Sequence, residues 1–75
     1  MSGVHIPNPC DFLDTKESLG AFNGERRWRD KNGLFTWDFT HGEIEAFNKR
    51  GRHIGVFDCH GIVIKKARKG RRIHV

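Results

Sequence analysis

From Asn32 onward the apolar residues of this chain recur every second position, in runs too short for helices and punctuated by Gly, Asn or Asp. Side chains of an extended strand alternate between two faces, whereas a helix repeats every 3.6 residues, so this spacing selects strands. Leu34–Asp38 follows the turn dipeptide Asn32-Gly33, and Glu43–Asn48 alternates before a turn at Arg50-Gly51-Arg52. His53–Phe57 and Ile62–Lys65 are β-branched runs separated by Cys59-His60-Gly61, and Arg72–Val75 reads as a last short strand. Short strands joined by local turns make an antiparallel meander with a strong twist.

The first 24 residues read differently. Pro7 and Pro9 hold the chain extended, and Asp11–Lys16 suits a turn or two of helix with Phe12 and Leu13 on its apolar side. Gly20 and Gly24 bracket a connector expected to drape over the sheet, and Arg26, Arg27 and Arg29 surround Trp28 as a basic cluster. The expected fold class is therefore α+β, mostly β: a short N-terminal helix followed by a twisted antiparallel sheet. At 75 residues this is one folded unit, with residues 1–24 as leader and 25–75 as the β-domain. A single core of that size supplies roughly 3–5 kcal/mol, so the fold has little stability to spare.

Charge divides the chain in the same place. Residues 1–24 carry one Lys against three Asp/Glu, whereas residues 25–75 carry 13 Lys/Arg against six Asp/Glu, a net of +7. Such a body concentrates polyanions and speeds their encounter. No apolar run approaches the roughly 20 residues of a membrane span, and no cleavable signal segment opens the chain, so no membrane partner is expected. Cys10 and Cys59 lie outside any Cys-x-x-Cys pattern. They permit a disulfide, but two free thiols in a reducing cytosol is the favoured reading. With His5 and His60 they suggest zinc, yet the spacing fits no common ligand pattern, and the expectation is no metal and no cofactor.

Against this background Trp37–Glu45 stands out, because Asp38, His41, Glu43 and Glu45 fall within eight residues around a His-Gly turn. Alternation puts Glu43, Glu45 and Phe47 on one strand face and Ile44 and Ala46 on the other. If the aliphatic face is the core, the carboxylates stand on an open face with Asp38 and His41 beside them. Each residue has a plain structural use: Asp38 can accept turn amides, and alternating glutamates can line a solvated strand. Together, next to a cationic tail, they suit cleavage of RNA. The 2′-hydroxyl of RNA is its own nucleophile, so an acid, a base and a cation suffice. Glu45 or Glu43 can be the base, His41 oriented by Asp38 the acid, and Arg71 or Arg72 the phosphate-binding fork.

The same residues carry a resemblance. Trp37-Asp38-x-x-His41-Gly42-Glu43-Ile44-Glu45-Ala46-Phe47 closely resembles the Trp-Asp-x-x-His-Gly-Glu-Leu-Glu-Gly-Tyr motif of the cytotoxic ribonuclease domain of cloacin and the ribosome-inactivating E-group colicins. Arg27-Trp28, Asp30-Lys31, His53–Asp58, Gly61–Lys65 and Arg71-x-Ile73 are similar to further segments of that family, whereas the leader matches loosely through His5, Pro7 and Pro9.

The resemblance implies an endoribonuclease toxin that makes one cut in 16S rRNA at the decoding site and stops translation. By position, Asp38, His41, Glu45 and Arg71 fall on the family's catalytic residues, with Glu45 as base and His41 as acid. Glu43 and Lys65 fall on positions that support RNA binding, to which Lys66, Arg68, Lys69, Arg72, Trp28, Phe35 and Phe47 are added as expected contacts. The implied partners are the small ribosomal subunit and an acidic immunity protein or antitoxin. The place of action is the bacterial cytoplasm, whether the domain is secreted or delivered within a larger effector. Phe35 and Phe47 replace the family's Tyr, which keeps stacking but removes hydroxyls, and Arg72 replaces a neutral residue beside Arg71. Two other readings stay open: a non-catalytic RNA-binding module gripping through Trp28, Phe47 and the tail, and a structural protein docking an acidic partner.

Overall fold

The structure is a computed structural model and describes residues 3–74. One turn of helix, α1 (Asp11–Asp14), precedes six strands: β1 (Glu17–Phe22), β2 (Glu25–Asp30), β3 (Gly33–Asp38), β4 (Glu43–Asn48), β5 (His53–Phe57) and β6 (Val63–Lys66). They form one antiparallel sheet in sequence order, β1-β2-β3-β4-β5-β6. The extents of 29 × 26 × 26 Å are nearly equal, which a flat sheet cannot give. The sheet must twist, with the terminal segments covering its two faces.

The turns follow from their first residues. Each hairpin after β2 opens on Asp or Asn, whose side-chain oxygen accepts two amide hydrogens of its own turn. Asp30 takes those of Asn32 and Gly33, Asp38 those of Thr40 and His41, Asn48 those of Arg50 and Arg52, and Asp58 those of His60 and Ile62. The β1–β2 hairpin instead uses Asn23 and Gly24 at φ 54° and 79°, the left-handed pair that a tight two-residue hairpin requires.

One face of the sheet is the core. Trp28, Phe35, Trp37, Ile44 and Ala46 are buried there beneath Cys10 and Leu13, with Ile6, Phe12, Phe57 and Cys59 packed around them. The N-terminal segment is tied down by Trp37 Nε1 donating to Val4 O at 2.8 Å and by Phe12 N donating to Cys59 O at 2.8 Å. Cys10 and Cys59 are joined in a disulfide that pins the leader to the β5–β6 turn. The free thiols favoured on sequence grounds are not what the fold contains.

The opposite face is covered by the chain's end. After β6 the backbone turns at Gly70 (φ 85°), and His53 N donates to Arg71 O at 3.0 Å while Ile73 N donates to Gly51 O at 2.8 Å. Arg27 reaches across to His74 O at 2.9 Å. Of the last strand expected at 72–75, a single Arg52–Arg72 bridge forms, and Val75 lies outside the described residues.

The α+β expectation is therefore wrong: the chain is nearly all antiparallel β, and its helix is a four-residue turn. Four residues barely nucleate a helix, and α1 has no side-chain cap at its N-terminus. The connector expected between Gly20 and Gly24 is the end of β1 and its hairpin turn, and the basic cluster of Arg26, Arg27 and Arg29 around Trp28 lies in β2. Strand β1 is an edge, exposed at nearly every position, so no buried face imposes alternation on its sequence.

Candidate active site

The β3–β4 hairpin delivers the acidic cluster. Asp38 ends β3 opposite Glu43, the first residue of β4, and Thr36 lies opposite Glu45. Glu45 in turn faces Val56 of β5, which faces Lys65 of β6. Cross-strand neighbours share a face, so Asp38, Glu43, Glu45 and Lys65 stand together on the side away from the core. His41 lies in the turn, closed by Gly42 N donating to Asp38 O at 2.7 Å. Gly42 adopts φ 69°, and a side chain there would also run into Val4.

Three pairs converge in this patch. His41 Nδ1 lies 2.8 Å from Asp38 Oδ2, while Asp38 Oδ1 accepts the turn amides. Each Asp38 oxygen thus has its own partners, Oδ2 the His41 ring and Oδ1 the turn amides. Burial pushes its carboxyl upward, but the His41 ring and the turn amides outweigh this and hold it below the ordinary carboxylate range. The ionised Asp38 accepts from Nδ1–H and leaves the His41 Nε2 edge outward. Lys65 Nζ pairs with Glu43 Oε1 at 3.0 Å, and Arg71 with Glu45 Oε1 at 3.2 Å. Asp38, His41, Glu43, Glu45, Lys65 and Arg71 line one cleft of about 130 Å³, roughly the liquid volume of four waters.

The open face expected around the carboxylates is half closed. The Glu45 side chain is only 7% exposed and that of His41 64%, so the base candidate is sheltered and the acid candidate faces solvent. Lys66 and Arg68 also border the cleft, whereas Lys69 and Arg72 do not and sit in a neighbouring cavity. The three aromatic rings expected to stack on RNA are not available. Trp28 and Phe35 belong to the core on the far face, and Phe47 is completely buried, its ring edge-on to His53.

One residue of this site was missed. His53 Nε2 lies 3.1 Å from Glu45 Oε1, though too poorly aligned for a hydrogen bond. Its Nδ1 accepts the amide hydrogen of Arg68 at 2.8 Å, which leaves the ring proton on Nε2, toward Glu45. With its own N–H bonded to Arg71 O, His53 fastens the arm that carries Arg71 to the strand that carries Glu45. Strict alternation from Val56 would send His53 to the core face. A β-bulge at Ile54, where the pairing jumps from Ala46–Gly55 to Phe47–His53, turns it the other way.

Burial pushes the His53 imidazole below its usual range; Glu45 draws it up, Arg71 presses it down, and burial prevails. Folded His53 takes up a proton less readily than an unfolded histidine, whose pKa is near 6.5. Below about pH 6.5 the unfolded chain binds the extra proton, so stability falls as pH falls, by up to about 1.4 kcal/mol per pH unit. Urea unfolding between pH 7 and 5 should show this decline, and His53→Gln should remove it. The same decline in the variant would assign it to another group.

Asp38, His41 and Glu43 also hold one potential metal-ligand atom each within 4.8 Å of one another. Asp38 and His41 are already bonded to each other and Glu43 to Lys65, so a cation would have to displace those partners. The cysteines of the zinc reading are joined to each other.

A family model described as Cytotoxic matches residues 14–74, from the end of α1 through the C-terminal arm. No curated protein matches the chain.

Proposed function

The chain belongs to the Cytotoxic family, and on that premise we propose that it is a toxin endoribonuclease of the cloacin and E-group colicin kind, cutting 16S rRNA at the decoding site. The observation that carries this reading is the convergence of the Asp38–His41, Glu43–Lys65 and Glu45–Arg71 pairs on one cleft. Both neighbours of Glu45 lie against Oε1, so Oε2 is the oxygen left to take the proton of the RNA 2′-hydroxyl.

The freed 2′-oxygen attacks the adjacent phosphorus, and the bond to the 5′-oxygen breaks. That oxygen leaves with a proton from His41 Nε2, and the Asp38 carboxylate steadies the ring throughout. Arg71 holds the extra negative charge of the phosphorane, where a positioned donor is worth most. The products are a 2′,3′-cyclic phosphate and a 5′-hydroxyl. Lys65, Lys66 and Arg68 hold the strand through its phosphates, and Lys65 also restrains Glu43. An acidic immunity protein is the expected partner, because the net +7 of residues 25–75 favours an anionic inhibitor in both encounter rate and specificity. The site of action is the bacterial cytoplasm.

No step in this scheme passes through a metal. A minimal decoding-site RNA should be cut at an unchanged rate in excess chelator, and the fragment should end in a cyclic phosphate. Activity lost in chelator and restored by a divalent ion would instead assign the chemistry to a cation held by Asp38, His41 and Glu43.

A further inference from the structure

Beside the cleft lies a larger cavity of about 530 Å³, walled by Arg52, His53 and residues 67–72. Arg52, Arg68, Lys69, Arg71 and Arg72 all line it, and no carboxylate does. Among the described residues, Arg71 is the one member of this set held in an ion pair. The arrangement is imposed by the backbone. The Arg52–Arg72 bridge sets two guanidinium side chains directly across from each other, locked by the flanking His53–Arg71 and Ile73–Gly51 hydrogen bonds. Like charges directly opposite on paired strands oppose folding, and an anion between them reverses the sign.

We propose that this cavity holds a phosphodiester group of the RNA strand next to the one being cut, with Arg52 and Arg72 as its principal ligands. The identity of the strand rests on the ribonuclease reading above; the preference for an anion rests on the facing pair Arg52 and Arg72. Its position argues for nucleic acid over an acidic protein. His53, Arg68 and Arg71 wall both the cavity and the catalytic cleft, so the cavity adjoins the place where a phosphate would meet Arg71. Arginine forks suit this ligand because they meet two phosphate oxygens at once.

The test is a binding experiment that needs no cleavage. A decoding-site oligoribonucleotide with a 2′-deoxy sugar at the cut is compared with versions carrying one uncharged methylphosphonate on either side. One of the two neutral linkages should weaken binding about tenfold. Arg52→Gln, an exposed change, should weaken the charged oligomer equally, and combining the two should cost nothing more. The salt dependence of Arg52→Gln should be shallower by about 0.7 in log–log slope, as for one lost single-strand phosphate contact. Independent losses, or no loss, would overturn the assignment. So would an Arg52→Gln variant that binds RNA normally but binds an acidic inhibitor poorly, which would give the cavity to a protein partner. A parent chain that shows the coupled pattern and cuts no RNA would keep the cavity and remove the nuclease reading.

Discussion

Glu45→Gln is expected to cut ribosomal RNA about 10²–10⁴ times more slowly than the parent chain, the usual loss when a proton-transfer group is removed. The amide has the shape of the carboxylate but cannot take a proton at neutral pH. Its oxygen can still accept from Arg71, and Arg71, with a side chain 41% exposed, keeps its hydration when the charge across from it is removed. The fold should therefore persist, with an unchanged circular dichroism spectrum. His41→Ala should lose activity over the same range for the opposite proton transfer, while Asp38 keeps its turn amides and the hairpin its shape. A folded Glu45→Gln variant with full activity would leave the cleft without its base and the mechanism without a first step.

Reduction of the Cys10–Cys59 disulfide is the second large effect expected, and it concerns stability. The two cysteines are 49 residues apart, and opening a loop of that size restores about 4 kcal/mol of unfolded-chain entropy. That is comparable to the roughly 3–5 kcal/mol a core in a domain this small provides. The link also holds Cys10 and Leu13 over Trp28 and Trp37, so its loss frees the lid of the core along with the loop. Reductant, or the paired change Cys10→Ala with Cys59→Ala, should lower the urea midpoint by about half. The emission of the two buried tryptophans should shift red as they meet water. An unchanged midpoint after complete reduction would show that packing alone carries the fold.

Strands β3 and β4 were legible because their core-facing apolar residues, Phe35, Trp37, Ile44 and Ala46, recur at every second position, and β5 because its run is bounded by turns. Strand β1 was not, since an exposed edge imposes no such pattern, although Asn23-Gly24 was a hairpin signal in plain view. Asp38, His41, Glu43 and Glu45 could be grouped from sequence because they lie within one hairpin, where register follows from the turn. What escaped notice depends on contacts made far along the chain. The arm that brings Arg71 to Glu45 is fixed by backbone bonds of Arg71 and Ile73 with His53 and Gly51, which no local spacing announces. Folding also removes Trp28, Phe35 and Phe47 from the surface. His53 escaped for a different reason: one bulged residue, Ile54, inverts the face that counting by twos would assign.

The cleft holding Asp38, His41, Glu45 and Arg71 is proposed to cut ribosomal RNA. Bacterial ribosomes incubated with the parent chain, and in parallel with Glu45→Gln, test it when the small-subunit RNA is sized afterwards. The proposed activity gives one discrete fragment from the 3′ region with the parent chain and intact RNA with the variant. Intact RNA in both, with the protein bound to the ribosome or free of it, would contradict it.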